Sequence, residues 1–240
     1  MISPAQKRDI YGGQDPLDLP AYTLLEAAHC LRIPRATLRG WVLGRSYPSA
    51  SGQKRALPLI QIADSRTPAI SFRNVIELHV LSAIRRTHRV DMSAVRRAIA
   101  YLRSQLQVSR PLADQQMATD GKDLFVERYG KLVNISRGGQ LEMKSLVEVF
   151  LARIDRNPLG VPIRLFPFTR PRIEESPKSV VMDPTIQFGR PCIAGTGIPT
   201  SVIAERYMLG DSIAELAEDY AQKTLDIEEA LRYELEARAA

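Results

Sequence analysis

The sequence is poor in the residues that build disulfide frameworks, metal centres and membrane spans. Its 240 residues include only two cysteines, Cys30 and Cys192, which excludes a disulfide framework, and no Cys or His spacing is typical of a metal site. No run approaches the roughly 20 apolar residues of a membrane span, and the first residues lack the apolar core of a signal peptide. We therefore expect a soluble, cytoplasmic protein without a metal ion or cofactor.

Residue sets for catalysis are equally scarce. No Ser/His/Asp set, zinc-protease pair or phosphate-binding loop occurs in the sequence. Gly189–Pro199 is rich in glycine, but no lysine stands at the start of the helix after it, and Gly195 and Gly197 lack the third glycine of a dinucleotide site. A structural role for this loop is the simpler hypothesis, with glycines adopting positive φ. We do not expect an enzyme.

What the sequence does contain is arginine, concentrated in its first half. The net charge is +6, from 33 basic and 27 acidic residues; residues 1–120 contribute +8 and residues 121–240 contribute −2. Of the basic residues, 26 are Arg and 7 are Lys. Guanidinium groups suit phosphate and base edges, although GC-rich coding DNA gives the same excess. The charge distribution favours DNA as the partner of the first half.

Two short helices near the N-terminus have the pattern of a helix-turn-helix. Thr23 and Glu26 form a capping box for the first helix, and Leu38, Trp41 and Val42 give the second an apolar face. In such units the second helix enters the major groove. We predict DNA contacts from this helix and from the basic wing after it, by Arg35, Thr37, Arg39, Arg45, Tyr47, Lys54 and Arg55. A solvated helical hairpin is the alternative.

The whole chain is predicted to be mainly α with small β-hairpins, an α+β fold. Apolar runs predict wing strands at Leu57–Ala63 and Ala69–Phe72, long helices at 74–89 and 92–108, and a hairpin around Tyr129-Gly130. We expect five regions: a flexible arm (1–20), a winged helix-turn-helix domain (21–72), a central region of long helices and a hairpin (73–166), a Pro-rich linker (167–179) and a C-terminal trihelical, winged-helix-like domain (180–240).

The central helices carry an arginine cluster and a surplus of apolar residues. Arg85, Arg86, Arg89, Arg96 and Arg97 either approach the DNA backbone or form a solvated face, and the sequence leaves both readings open. The apolar stripes exceed what one small domain needs, and operator-binding proteins usually occupy two half-sites. We therefore predict a homodimer formed through Leu78, Leu81, Val95, Ile99 and Leu102.

The last predicted helix is the most acidic part of the chain, so DNA phosphates would repel it. This repulsion favours a protein partner for the C-terminal region. We predict contacts by Tyr207, Met208, Tyr220, Glu229 and Tyr233, because aromatic residues and Met favour interfaces. At helical spacing the same side chains also fit an ordinary core, which is the alternative.

A long motif in this region resembles a known family. The segment GRPCIAGTGIPTSVIAERYMLGDSIAELAEDYAQKTLDIEEALRYE is similar to an antitoxin-like domain of unknown function with the signature G-[KR]-P-x-I-x-G-T-[RG]-I-P. At Cys192 and Gly197 other side chains are usual in that family. Together with LFVERYGKLVNISRGGQLEM and the helix-turn-helix, the chain resembles VapB-type antitoxins with a MerR-like N-terminal domain. The resemblance implies that it neutralises a PIN-like ribonuclease toxin and represses its own operon. A MerR-like, ligand-responsive regulator without a toxin is the alternative.

Overall fold

The computed structural model describes residues 13–49, 52–64, 66–86, 90–134 and 136–238. The helices in these ranges are α1 (Leu24–Leu31), α2 (Arg35–Leu43), α3 (Phe72–Arg86), α4 (Met92–Leu106), α5 (Asp120–Val133), α6 (Arg137–Leu151), α7 (Thr200–Met208), α8 (Ile213–Asp219) and α9 (Thr224–Arg238). The strands are β1 (Tyr22–Thr23), β2 (Arg45–Ser49), β3 (Gly52–Ala56), β4 (Ala69–Ile70), β5 (Ile154–Arg156), β6 (Pro162–Leu165), β7 (Val180–Val181) and β8 (Cys192–Ile193). The α+β fold predicted from the sequence is confirmed.

The helix pair α1–α2 forms where the capping and apolar patterns predict it. The Thr23 hydroxyl accepts a hydrogen bond from the Glu26 backbone N–H, and the Glu26 carboxylate accepts one from the Thr23 N–H, which completes the capping box. Arg32 ends α1 in the left-handed conformation, and α2 begins after Pro34. This short turn brings the apolar faces of the two helices together.

The hairpin after α2 differs from the predicted wing in its strands. Strands β2 and β3 pair with each other, whereas Leu57–Ala63 forms no strand. The backbone N–H groups of Leu59 and Ile60 instead donate to the Trp41 carbonyl, which packs their side chains under α2. The Ala69–Ile70 strand pairs with Tyr22–Thr23. An apolar run does not identify its partner, because strand pairing depends on distant residues.

The hairpin predicted around Tyr129-Gly130 is wrong, because this segment is helix α5. Phe125 and Tyr129 lie one turn apart on its buried face, and Gly130 approaches the side chain of Gln140 on α6. Apolar groups separated by about two helical turns are compatible with a helix as well as with two strands. Ile135, at the end of the predicted hairpin, lies outside the described residues.

Helices α3 to α6 surround the larger of two apolar cores. Helix α3 is buried along most of its length; α6 packs against it, and α5 packs against α4. This core runs from Tyr22 to Met182, and a second core unites Ile193 with residues of α7, α8 and α9. Over the described residues, no helix combines the length and the apolar character needed to cross a membrane.

The segment 167–179 lies against the larger core and is fixed by one buried arginine. The guanidinium of Arg153 donates to the carbonyls of Phe166, Pro167, Ser176 and Pro177 at 2.8–3.2 Å. Burial lowers the pKa of Arg153 to about 10. These bonds satisfy the carbonyls of a proline-rich stretch that has few backbone donors of its own.

Candidate functional site

Helix α2 presents two arginines to solvent beside its buried face. Arg35 and Arg39 are exposed and one turn apart, while Leu38 and Trp41 are buried and Thr37 is half-buried. Within the described part of the chain, neither guanidinium forms an ion pair. A helix-turn-helix uses this face of its second helix to contact base edges, and Arg reaches guanine O6 and N7.

The β2–β3 hairpin places three of its four candidate side chains on one face. Tyr47 lies directly opposite Lys54, and Arg45 lies two residues before Tyr47, so these three side chains share a face. Arg55 pairs with Ser46 and therefore points to the other face. All four candidates are exposed. The hairpin thus carries exposed positive charge next to α2 in the chain.

A cleft of about 470 Å³ lies between α2, this hairpin and the start of α4. Thr37 and Arg45 line it, together with Arg85 of α3 and Arg96 of α4. Arg96 donates to the Leu57 carbonyl at 2.6 Å, which fixes its position. The sequence left the role of the arginine cluster open. The structure brings Arg85 and Arg96 to the same cleft as the helix-turn-helix.

The other arginines of the cluster do not line this cleft. The guanidinium of Arg86 lies 5.6 Å from the centre of the Phe150 ring, so Arg86 packs against α6. Arg97 is exposed on α4, and Arg89 lies outside the described residues. The sequence does not distinguish Arg85 and Arg96 from the neighbouring arginines, because all of them carry the same charge. Only their tertiary contacts make the distinction.

Hydrogen bonds hold the glycine-rich loop Gly189–Pro199 in place. Gly189 has φ = +80°, and the hydroxyl of Tyr22 on β1 donates to its carbonyl at 3.0 Å. Ile193 N–H donates to the Ile198 carbonyl, and Ile198 N–H donates to the Thr196 hydroxyl. These bonds fold the loop onto itself and attach its beginning to the helix-turn-helix.

Helix α9 packs directly against α1 of the helix-turn-helix. Tyr233 is fully buried, and its hydroxyl donates to the Cys30 carbonyl at 3.2 Å. His29 Nε2 lies 2.9 Å from a carboxylate oxygen of Glu234, whose other oxygen accepts from the Thr200 hydroxyl. His29 is half-buried and takes part in this polar contact between α1 and α9. Tyr233, a candidate for partner contact, is part of this internal interface.

Glu229, another candidate for partner contact, is also fully buried. It accepts hydrogen bonds from the Thr169 hydroxyl and from the Arg170 guanidinium. These bonds lower the pKa of the Glu229 carboxyl against the opposing effect of burial. Arg32 at the end of α1 donates to the carbonyls of Thr169 and Arg232. Part of the negative charge of α9 is therefore balanced by contacts within the protein.

Of the remaining candidates for partner contact, two lie at the surface. Tyr207 is 40% exposed and Met208 is 51% exposed at the end of α7, next to Leu209. Tyr220 is half-buried under the guanidinium of Arg206. An apolar patch at the end of α7 is thus available to a partner.

The residues predicted to form the dimer interface lie inside the chain's own core. They are at most 3% exposed and comprise Leu78, Leu81, Val95, Ile99 and Leu102. Helices α5 and α6 cover the apolar stripes of α4 and α3. The surplus of apolar surface that motivates the dimer prediction is therefore buried within one chain. The sequence does not indicate this burial, because the predicted hairpin at Tyr129-Gly130 leaves no helix to cover α4.

Two titratable side chains with strongly shifted pKa values lie in α3 and belong to the core. Burial raises the pKa of Glu77 to about 7, although Arg110 and Asn74 both bond its carboxylate. Burial lowers the pKa of His79 to about 3, and its Nε2 donates to the Phe150 carbonyl. His79 is thus neutral and bonded, which is typical of a structural histidine.

Comparison with known proteins matches both ends of the chain to described families. A family described as a "Putative DNA-binding HTH domain" matches residues 20–99, and a "Protein of unknown function (DUF433)" matches residues 180–233. The "Putative antitoxin VapB45" of Mycobacterium tuberculosis (strain ATCC 25618 / H37Rv) is 31% identical over 236 residues, covering 89% of this chain and 93% of that protein. The "Uncharacterized protein Rv2308" of the same strain is 23% identical over 231 residues, covering 93% and 94%.

A solved structure has the same fold. The crystal structure of Rv2018 from Mycobacterium tuberculosis superposes with a TM-score of 0.65 at 23% sequence identity. The match covers 90% of this chain and 99% of that chain. The arrangement of the helix-turn-helix, the central helices and the C-terminal helices therefore recurs over nearly the whole length.

Proposed function

The chain belongs to the family of the protein named "Putative antitoxin VapB45", and from this we propose that it neutralises a PIN-like ribonuclease toxin and represses its own operon by binding operator DNA. It acts without catalysis, as a binding protein for a nucleic acid and for a nuclease. The observation that carries the DNA half is the exposed pair Arg35 and Arg39 on the second helix of a helix-turn-helix.

The surroundings of this pair support DNA binding. The same side of the molecule carries Arg45, Tyr47 and Lys54 on the hairpin and Arg85 beside the cleft, so positive charge flanks α2 on two sides. Phosphate contacts of this kind position a protein on DNA, while the recognition helix selects the sequence. Arg55, on the opposite face of the hairpin, reaches a neighbouring phosphate. A homodimer on two half-sites completes the operator complex.

The antitoxin half rests on the relative's name and on the exposed apolar side chains of the C-terminal part. Tyr207 and Met208 lie at the end of α7, and Phe188 is 87% exposed in the loop before β8. Large apolar side chains at a protein surface are typical anchors of protein interfaces. We propose that the toxin contacts this part of the chain, with the half-buried Tyr220 at the margin.

The DNA proposal is tested with Arg35→Ala and Arg39→Ala in the full chain. Each loses a contact to a base edge, so we expect affinity for the DNA upstream of its own gene to fall about tenfold or more. Fluorescence anisotropy at several salt concentrations measures it. Lys54→Ala should weaken binding to all sequences alike and lower the salt slope by about one. Arg172→Ala is the control, because its side chain is 81% exposed outside this surface. Unchanged, salt-independent binding by the double variant contradicts the proposal.

The antitoxin proposal is tested with the product of the adjacent gene, which the proposal requires to be a nuclease. The two purified proteins are mixed, and cleavage of a labelled RNA is followed with increasing amounts of this chain. We expect a stable complex and full inhibition near equal amounts of the two proteins. A nuclease that neither copurifies with this chain nor loses activity on mixing refutes the antitoxin function.

A further inference from the structure

A groove of about 760 Å³ separates α1 from the loop before β8 and the start of α7. Leu25 of α1 and Phe188 of the loop stand at this groove, and Pro191 adds a further apolar wall. His29 and Glu234 lie in it and bond each other. The groove is therefore a partly apolar channel at the junction of the helix-turn-helix and the C-terminal part, and the proposed function uses Arg35 and Phe188 of its lining without assigning an occupant to the groove itself.

The aromatic side chain at this groove is held outward by an unusual backbone. Gln187, Phe188 and Gly189 adopt positive φ in succession, at 48°, 56° and 80°. For a bulky side chain such as Phe this conformation costs free energy and persists only where the surroundings fix it. Here Gln187 donates to the Gly197 carbonyl, and Tyr22 donates to the Gly189 carbonyl. The loop is thus built to keep Phe188 in solvent at 87% exposure.

Among the described residues at the groove, the charged side chains that have no ion-pair or hydrogen-bond partner are arginines. Arg35 and Arg190 line it and are exposed, and neither has a carboxylate partner within the described part of the chain. The groove's carboxylates are already bonded: Glu26 accepts from Thr23, and Glu234 faces His29. An occupant that brings carboxylates therefore finds two unpaired guanidinium groups, which bind carboxylates in bidentate geometry.

We propose that this groove binds a segment of the toxin in which apolar side chains are flanked by carboxylates. The inference rests on the antitoxin function proposed above and names the surface that carries it. The apolar side chains of the segment contact Phe188 and Leu25, and its carboxylates contact Arg190 and Arg35. A rigid aromatic anchor beside cationic side chains is the composition that interface hot spots favour.

The position of Arg35 links this groove to DNA. Arg35 is the first residue of α2 and lines the groove, while Arg39, one turn later, lies outside its lining. A carboxylate bound to Arg35 takes this guanidinium away from a base edge or phosphate. Occupation of the groove and binding of operator DNA therefore compete, with the competition concentrated at Arg35.

The groove is tested with the full chain and a fluorescein-labelled peptide in which a Leu-Phe pair is flanked by Asp and Glu residues. Anisotropy should show binding of this peptide and not of its counterpart with Lys in place of the acidic residues. Phe188→Asp and Arg190→Glu should each lower the affinity at least about tenfold, as expected for an interface anchor. The matched controls Leu159→Asp, on an 81% exposed side chain of the β5–β6 turn, and Arg172→Glu should leave it unchanged. The operator fragment should displace the peptide.

The same variants are then mixed with the nuclease, which separates the two proposals. If wild type inhibits the nuclease and Phe188→Asp inhibits it equally well, the groove proposal is overturned and the antitoxin function stands. If Met208→Asp is the only one of these variants that no longer inhibits the nuclease, the groove proposal is overturned too, because the toxin then binds the end of α7. A wild-type chain that binds the acidic peptide but leaves the nuclease active refutes the antitoxin function instead. Equal binding of both peptides, or of neither, also overturns the groove proposal.

Discussion

Replacing Gly189 with alanine should destabilise the junction between the family motif and the helix-turn-helix. Gly189 has φ = +80°, and a Cβ atom there would lie 2.1 Å from the Tyr22 hydroxyl oxygen. The left-handed conformation costs a non-glycine residue about 1 kcal/mol. Displacing the buried Tyr22 ring costs about 1–3 kcal/mol for overpacking, and the lost hydrogen bond to the Gly189 carbonyl adds about 1 kcal/mol. We therefore expect a loss of about 4 kcal/mol in unfolding free energy for Gly189→Ala.

Gly195 supplies a matched control for the backbone contribution. Its φ is +78°, nearly that of Gly189, but a Cβ atom there meets nothing within 4 Å. Gly195→Ala should therefore cost only the conformational penalty of about 1 kcal/mol. In a Tyr22→Phe background the hydroxyl contact is absent, although the ring carbon stays 3.1 Å from the new methyl group. There Gly189→Ala should cost about 2 kcal/mol, which gives a coupling of about 2 kcal/mol between the two positions.

Urea unfolding measures these free energies with two signals. Trp41 is the only tryptophan of the chain and is buried in α2, so its fluorescence reports on the helix-turn-helix, while circular dichroism reports on all helices. Both should shift in Gly189→Ala, because Tyr22 belongs to the larger core. Equal losses in Gly189→Ala and Gly195→Ala, or additive effects of Gly189→Ala and Tyr22→Phe, would refute the assigned role of the Tyr22 contact.

Three further predictions concern buried polar groups. In the folded chain Glu77 keeps its proton up to about pH 7, whereas in the unfolded chain it loses the proton near pH 4.5. The free energy of unfolding should therefore fall by up to about 3 kcal/mol between these two pH values. In thermal melts the stability of Glu77→Gln relative to wild type should rise across this range. Burial raises the pKa of the Cys30 thiol to about 12, and Cys192 is buried as well. Both thiols should therefore resist Ellman's reagent until urea unfolds the chain, and rapid labelling of the folded protein would contradict this. Arg153→Lys should cost about 2–4 kcal/mol, because a single ammonium cannot reach the four carbonyls; an unchanged urea midpoint argues against it.

Features that depend on neighbouring residues could be predicted from the sequence. The capping box at Thr23 and the apolar periods of α1 and α2 involve residues within about one turn of each other, and the helices form at these places. The same applies to the turn-rich loop that begins at Gly189. Local hydrogen bonds and side-chain spacing fix such elements before any long-range contact forms.

Features that depend on distant pairing could not be predicted. The strand Ala69–Ile70 lies beside Tyr22–Thr23 rather than beside the preceding apolar run, and α5 is a helix because α4 and α6 offer it apolar faces. Sequence patterns show how much apolar surface a segment has, and they do not show what covers it. The assignment of Leu78, Leu81, Val95, Ile99 and Leu102 to a dimer interface rested on that missing information.

The sequence by itself determined the helix-turn-helix, the outward position of its arginines and the family motif, since each is encoded in residues close along the chain. Only the tertiary structure decided that Tyr233 and Glu229 are internal, because their partners Cys30 and Thr169 are far away in sequence. It also decided that Arg35 and Phe188 share one groove. Packing of α9 against α1 brings the two ends of the chain together, and no local pattern records that contact.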